Sequence, residues 1–249
     1  MKISQISKLT DTPASTIRDY ESFNFIEPAE RLHNSYRVFN ERHIVQIKLC
    51  RLAFREFINK PLRKASLQVL YAAAKNDMPL CHINIENYIV LLETEIQKAD
   101  DVFKVIKKWT SSDVCKEEEL DYTLKMAAEC IGTTKETIRN WERNGLLGNN
   151  LTAYKKRIYK TCDIERMKVI YMLIQTGYSI MAINKYFLTL AQSNDKALQI
   201  LIDPNNDEDL FSIQDRWFQT LISAKSDGMK MLAIIGKAAQ PPFADELQW

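Results

Sequence analysis

The stretch Thr16-Ile17-Arg18-Asp19-Tyr20-Glu21 returns as Thr137-Ile138-Arg139-Asn140-Trp141-Glu142, 121 positions later. The likeness spreads in both directions. Upstream, Ile3, Ile6 and Leu9 fall on Leu124, Ala127 and Cys130, which predicts a short helix burying a three-residue-spaced stripe at the head of each copy. Downstream, Asn24-Phe25-Ile26 meets Gly145-Leu146-Leu147, and after the loss of one residue Arg37-Val38-Phe39 falls on Arg157-Ile158-Tyr159. A period this long is not that of a solenoid; it predicts two similar domains in one chain.

Within the first copy, Ser4 to Thr10 reads as one short helix and Pro13-Ala14-Ser15 opens a second, ending near Asn24. Two short helices across a tight turn make a helix-turn-helix. The second helix keeps Ile17 inward and leaves Ser15, Arg18 and Asp19 on other faces, available to a groove. Arg31 to Phe39 alternates around the turn residues Asn34-Ser35 and predicts a small hairpin, a wing. Asn40 can cap a third helix, and Asn59 or Lys60 followed by Pro61 starts a fourth that runs to about Ala74.

In the second copy Thr123 and Thr134 cap the first two helices, and Leu151 to Tyr159 forms the wing. Asp163 to Thr176 is the third helix, closed by Gly177, and Ser179 opens the fourth.

A different period follows each copy. Ile85, Ile89, Leu92, Ile96, Ala99, Phe103 and Ile106 are spaced alternately by four and three, a heptad seam over roughly Ile85 to Trp109. Leu210, Trp217, Leu221, Ala224, Met231 and Ile235 fit a second seam, with Gln214 and Gly228 as its weak positions. Shifted by 120, the first coil falls on 205 to 229, so the coil is duplicated as well. The predicted fold class is mainly helical: two winged helix-turn-helix domains, each followed by a long antiparallel coiled-coil helix. The expected boundaries are 1–78 and 122–195 for the heads, 79–121 for the first coil with its polar linker, and 196–249 for the second coil and tail.

Charge follows the same division. Residues 1 to 64 hold 12 Lys+Arg against 7 Asp+Glu, and 122 to 190 hold 11 against 5. The intervening 65 to 121 hold 6 against 11, and 191 to 249 hold 5 against 9. Basic heads and acidic coils suit a polyanion bound by the heads and kept off the rest. No apolar run approaches the ~18 residues needed to span a membrane, and the basic, polar start lacks a signal-peptide core, so a cytoplasmic, nucleoid-associated location is expected. The five cysteines (Cys50, Cys81, Cys115, Cys130 and Cys162) are odd in number and scattered, which predicts reduced, buried thiols.

Taken together, each copy resembles the winged-helix DNA-binding head of MerR-family transcription regulators: an apolar start, a Thr-Ile-Arg-x-aromatic-Glu recognition helix, a Gly-Leu-Leu-like turn, a Tyr-Arg-hydrophobic-aromatic wing, and a helix pair leading to a dimerisation coil. The likeness covers 1–75 and 122–192. Asp11 and Asn24 stand where the family usually has glycine, Asp19 and Asn140 replace a common tyrosine, and Lys156 replaces the tyrosine before the second wing's arginine.

The resemblance implies a sequence-specific transcription regulator on double-stranded DNA, with RNA polymerase at a promoter as a further partner. The candidate DNA contacts are Ser15, Thr16, Arg18, Tyr20, Tyr36 and Arg37 in the first copy, and Lys135, Thr137, Arg139, Trp141, Lys155, Lys156 and Arg157 in the second. Arg18 and Arg139 can pair with guanine edges or clamp phosphate; Tyr20 and Trp141 either donate to phosphate oxygen or are core aromatics, with the arginines paired to Glu21 and Glu142.

Relatives pair two chains through their coils. Here a coil of about 24 residues spans about 36 Å, close to the ~34 Å between half-sites one turn apart. One chain could therefore supply both heads, as a single-chain pseudo-dimer; the alternative is a homodimer carrying four.

Cys81, with His82 adjacent, and Cys115 sit where metal sensors of the family carry cysteines, but the second copy has no counterpart, so neither a metal nor a cofactor is expected. A ligand pocket lined by Phe103, Trp109, Trp217 and Phe218 competes with plain coil packing. An architectural DNA binder with the same heads and little sequence preference is the second functional class. An enzyme is the third, and it finds no phosphate loop, nucleophile elbow, zinc-protease helix or spaced carboxylate pair to support it.

Overall fold

The structure of the chain, a computed structural model, describes residues 1–33, 35–110, 120–148, 157–192, 200–203 and 206–238. The described residues are mainly helical, with ten helices and three short two-stranded ribbons. The first repeat runs α1 (Ile3–Thr10), α2 (Ala14–Ser22), β1 (Glu30–Arg31), β2 (Arg37–Val38), α3 (Glu41–Arg55), α4 (Lys60–Ala74) and the long α5 (Met78–Thr110). The second runs β3 (Tyr122–Thr123), α6 (Leu124–Ile131), α7 (Lys135–Arg143), β4 (Ile158–Tyr159), α8 (Thr161–Gln175), α9 (Ile180–Gln192), the hairpin β5 (Ile200–Asp203) and β6 (Asn206–Asp209), and α10 (Leu210–Ala238). Helices α1 and α2 match α6 and α7 to the residue at an offset of 121, and α3 matches α8 at 120.

Local chemistry sets these boundaries. Asn40 Oδ1 accepts from His43 N at 3.2 Å to start α3, and Asn59 Oδ1 accepts from Leu62 N at 3.0 Å to start α4, with Pro61 in its first turn. Thr123 and Thr134 do the same for α6 and α7. The wing of the first head pairs Glu30 with Val38 and Arg31 with Arg37. Its base is closed by Met1, which exchanges backbone bonds with Phe39 (2.6 and 2.9 Å), just as Tyr122 pairs with Tyr159 in the second head.

Both helix-turn-helix turns need left-handed backbone. Asp11 and Asn24 have φ of 47° and 57°, where the second copy has Gly132 and Gly145 at 70° and 75°. The two departures from glycine therefore keep the conformation glycine would supply, because Asn and Asp are the side chains that tolerate it best.

The chain divides into two compact units, Met1–Glu95 with Thr220 onward, and Ile96–Gln219. In the first, Ile6, Ile17, Ile26, Ile47, Leu49, Val69 and Leu70 share one core with Cys81 and Ile85 of α5 and Met231 and Ile235 of α10. There the helices run in opposite directions: Lys225 pairs with Glu93 at 2.8 Å, while Gly228 lies against Ile89. In the second unit Ile138, Trp141, Leu146, Tyr159, Met167 and Ile170 are buried, and Gln214 Nε2 donates to Ala99 O at 3.3 Å.

Three expectations are corrected. The stripe of the first helices is Ile6 and Thr10, and Ala127 and Ile131; Leu9 and Cys130 are exposed. Seven residues return a helix to within about 20° of its start, whereas six leave it about 120° away. On α5 the buried residues are Ile85, Tyr88, Ile89, Leu92, Glu95, Ala99, Val102, Val105 and Ile106, so of the expected seam Ile96 is only half-buried and Phe103 is 39% exposed. Glu95 faces the first head, receiving Asn59 Nδ2 at 3.4 Å, while Tyr88 lies beside Gly228 of α10. Finally, α10 starts at Leu210 instead of continuing back to 205, because the β5–β6 hairpin, pairing Ile200 with Asp209, precedes it.

Candidate nucleic-acid interface

Each recognition helix is fixed by one fully buried isoleucine, Ile17 in α2 and Ile138 in α7. With that residue inward, Ser15 and Arg18 of α2 and Lys135, Glu136 and Arg139 of α7 stand exposed, while Thr16 and Thr137 are half-buried. Thr137 is partly committed to the helix start, its Oγ1 lying 2.8 Å from that of Thr134. Arg18 has no ion-pair partner among the described residues; Arg139 Nη1 reaches Glu136 at 3.4 Å.

The wings are joined to these helices by the last residue of the repeated phrase. Glu21 accepts from Arg37 Nε at 2.6 Å and from Ala29 N at 3.1 Å. Glu142 accepts from Arg157 Nε at 2.7 Å and from Tyr159 Oη at 2.9 Å. Tyr159 stands where the first head has Phe39, which has no hydroxyl to donate to Glu21. Burial and the neighbouring Glu142 carboxylate push the Tyr159 hydroxyl upward, so it remains a donor. The glutamates thus pair with the wing arginines and not with Arg18 and Arg139, and their recurrence at the end of both phrases is the sequence signal of this clamp.

The aromatics of the phrase separate. Trp141 is 2% exposed, which is the packing of a core residue. Tyr20 is half-buried and stacks on Phe54, with ring centroids 5.8 Å apart. Its hydroxyl is pushed up to about 12, chiefly by burial, and so stays a neutral donor. Tyr36, at the wing tip, is 70% exposed. Lys155 and Lys156, with most of the second wing, lie outside the described residues.

A basic helix-turn-helix beside a clamped wing, built twice, is the geometry of a duplex-reading head. The sequence matches the family described as MerR HTH family regulatory protein, over residues 1–60 and again over 122–190. The chain belongs to that family. It carries two MerR-type heads in tandem, and the family is one of DNA-binding regulators. No curated protein and no solved structure matches the chain.

Other sites carry less. Cys81 is buried with its thiol pushed up to about 11, mainly by burial, and Cys50 is likewise raised. Cys130 and Cys162 are exposed, against the expectation of buried thiols: Cys130 falls on the outer face of α6, and Cys162 lies in the first turn of α8. Cys115 lies outside the described residues. No group of three or more His, Cys, Asp or Glu among the described residues could hold a metal ion. Trp217 is buried, and Trp109 meets Phe187 edge-on at 6.5 Å, lining with Arg166 a small cleft in the second unit. No described helix is long and apolar enough to cross a membrane.

Proposed function

We propose that this MerR-family member is a sequence-specific transcription regulator, folded as a single-chain pseudo-dimer that grips the two half-sites of one operator. The observation that carries this reading is a crosswise docking of repeats. In the first unit, Arg55 of α3 pairs with Asp227 of α10 at 2.7 Å. In the second, Glu165 and Lys168 of α8 pair with Lys108 and Asp101 of α5 at 2.7 and 3.7 Å. The third helix of each head thus rests on the coil helix of the other repeat, which is what two chains would do for one another in a dimer.

Direct contact is assigned to Arg18 and Arg139, with the wing arginines Arg37 and Arg157 reaching flanking phosphates. Tyr20 donates to backbone, and Trp141 positions α7 from within. Selection of bound fragments from random duplex DNA tests the whole: a two-part motif is expected, and each of Arg18→Ala and Arg139→Ala should weaken binding to it by about 1–3 kcal/mol. Binding that ignores sequence and falls steeply with salt would point to an architectural role instead. In light scattering the chain should run at its own mass of 29.0 kDa; twice that mass at working concentration would remove the pseudo-dimer.

A further inference from the structure

The two recognition helices differ most on the face meant for DNA. Positions spaced by three and four share one side of a helix, and on α2 that column is Ser15, Arg18, Ser22; on α7 it is Glu136, Arg139, Arg143. All six are exposed. In the second column both carboxylate oxygens of Glu136 are taken up: Oε2 accepts from Arg139 Nη1 at 3.4 Å and Oε1 from Arg143 Nη2 at 3.0 Å. The first column has no carboxylate, and Arg18 extends without one.

A fixed negative charge on a surface that meets phosphates is unfavourable unless it is locally outweighed and has something to read. Here two guanidiniums outweigh it, and Lys135 next to it adds a third cation. Hydrogen bonds from Arg143 and then Arg139 also lower the Glu136 pKa, which favours the ionised carboxylate, an acceptor only. In the major groove the group that calls for such an acceptor is the N4 amino group of cytosine, while an adjacent arginine suits guanine O6 and N7.

We infer that Glu136 is a specificity-determining residue of the second head, selecting a C·G pair at one position of its half-site, while Ser15 leaves the matching position of the first half-site undiscriminated. This rests on the operator-binding reading above.

The test is fragment selection with the full chain and three variants, each checked for an unchanged helical melt. The parent should return two unlike halves, one holding a fixed cytosine. Glu136→Ser should flatten that position alone, by about 5- to 150-fold in discrimination. Glu136→Gln should move the preference from cytosine to adenine, since an amide both donates and accepts. Ser15→Glu should bring a cytosine into the other half. A two-part motif left unchanged by all three variants would reduce Glu136 to a tether for its arginines and overturn the inference. No enriched fragment from the parent would bring down the operator reading itself.

Discussion

Residues that look like departures from a pattern are here the ones that keep its geometry. Asn24 holds a left-handed turn that Gly145 holds in the other head, so Asn24→Gly should stabilise the first unit by up to about 1 kcal/mol. Gly145→Ala should cost the second about 1 kcal/mol, because a Cβ there combines positive φ with a 3.3 Å approach to Asn184. Urea midpoints read both; equal midpoints for Gly145→Ala and the parent would mean that the turn is not constrained.

His43 gives a residue-level pH dependence. It is buried against Phe39 and Asn40, its Nε2 has no partner among the described residues, and burial lowers its pKa despite the Glu27 carboxylate 3.6 Å away. The unfolded chain therefore takes up the proton first. The stability contributed by neutral His43 is present above about pH 6.5 and is lost as pH falls below it. His43→Gln, which can keep the capping box of α3, should flatten the melting temperature between pH 6.5 and 5; an unaltered slope would acquit the histidine.

Helices were the most legible part of the chain. Caps at Asn40, Asn59, Thr123 and Thr134 mark their ends with local hydrogen bonds, which depend on a few neighbouring letters. The replacement of Ile96 and Phe103 by Glu95 and Val102 in the buried line, and the burial of Tyr88 beside Ile89, were not legible, because α5 meets the first head through Glu95 and Asn59 and meets α10 where Gly228 faces Ile89 and Tyr88. Nor was the Glu21 clamp, whose partners Ala29 and Arg37 lie eight and sixteen residues away.

The weak positions of the second seam prove to be contacts: Gln214 reaches a backbone carbonyl, and Gly228 admits Ile89. A Cβ at Gly228 would sit 2.9 Å from Ile89 Cγ1, whereas one at Gly236 meets nothing within 4 Å. Gly236→Ala should then gain about 1 kcal/mol from helix propensity, while Gly228→Ala should lose a net ~1–2 kcal/mol to overpacking. Thermal melts of the pair would show opposite shifts, and shifts of the same sign would mean that the helices are not in close contact there.

For the whole molecule, the distribution of the two cores matters more than the number of heads. Met231 and Ile235 complete a core begun by Ile6 and Ile17, and Asp227, 1% exposed, is held by Arg55 and by Lys230. Polypeptides 1–119 and 120–249 made separately should each be poorly folded, and should recover the parent's helicity and melting when mixed or co-expressed. A fully cooperative melt from 1–119 alone would show that the first unit does not need α10.

That same reach has a consequence during synthesis. The first head leaves the ribosome early, yet the side chains that close its interior arrive some 140 residues after Glu95. At ~5–20 residues per second that is a wait of roughly 7 to 28 s. Through that interval the core that holds Cys81 and Ile85 lacks Met231 and Ile235, and the apolar surface those two would cover faces the cell. A nascent chain stalled after the second head should therefore be a better client for chaperones than the finished protein, and the last helix to emerge is the one that ends the exposure.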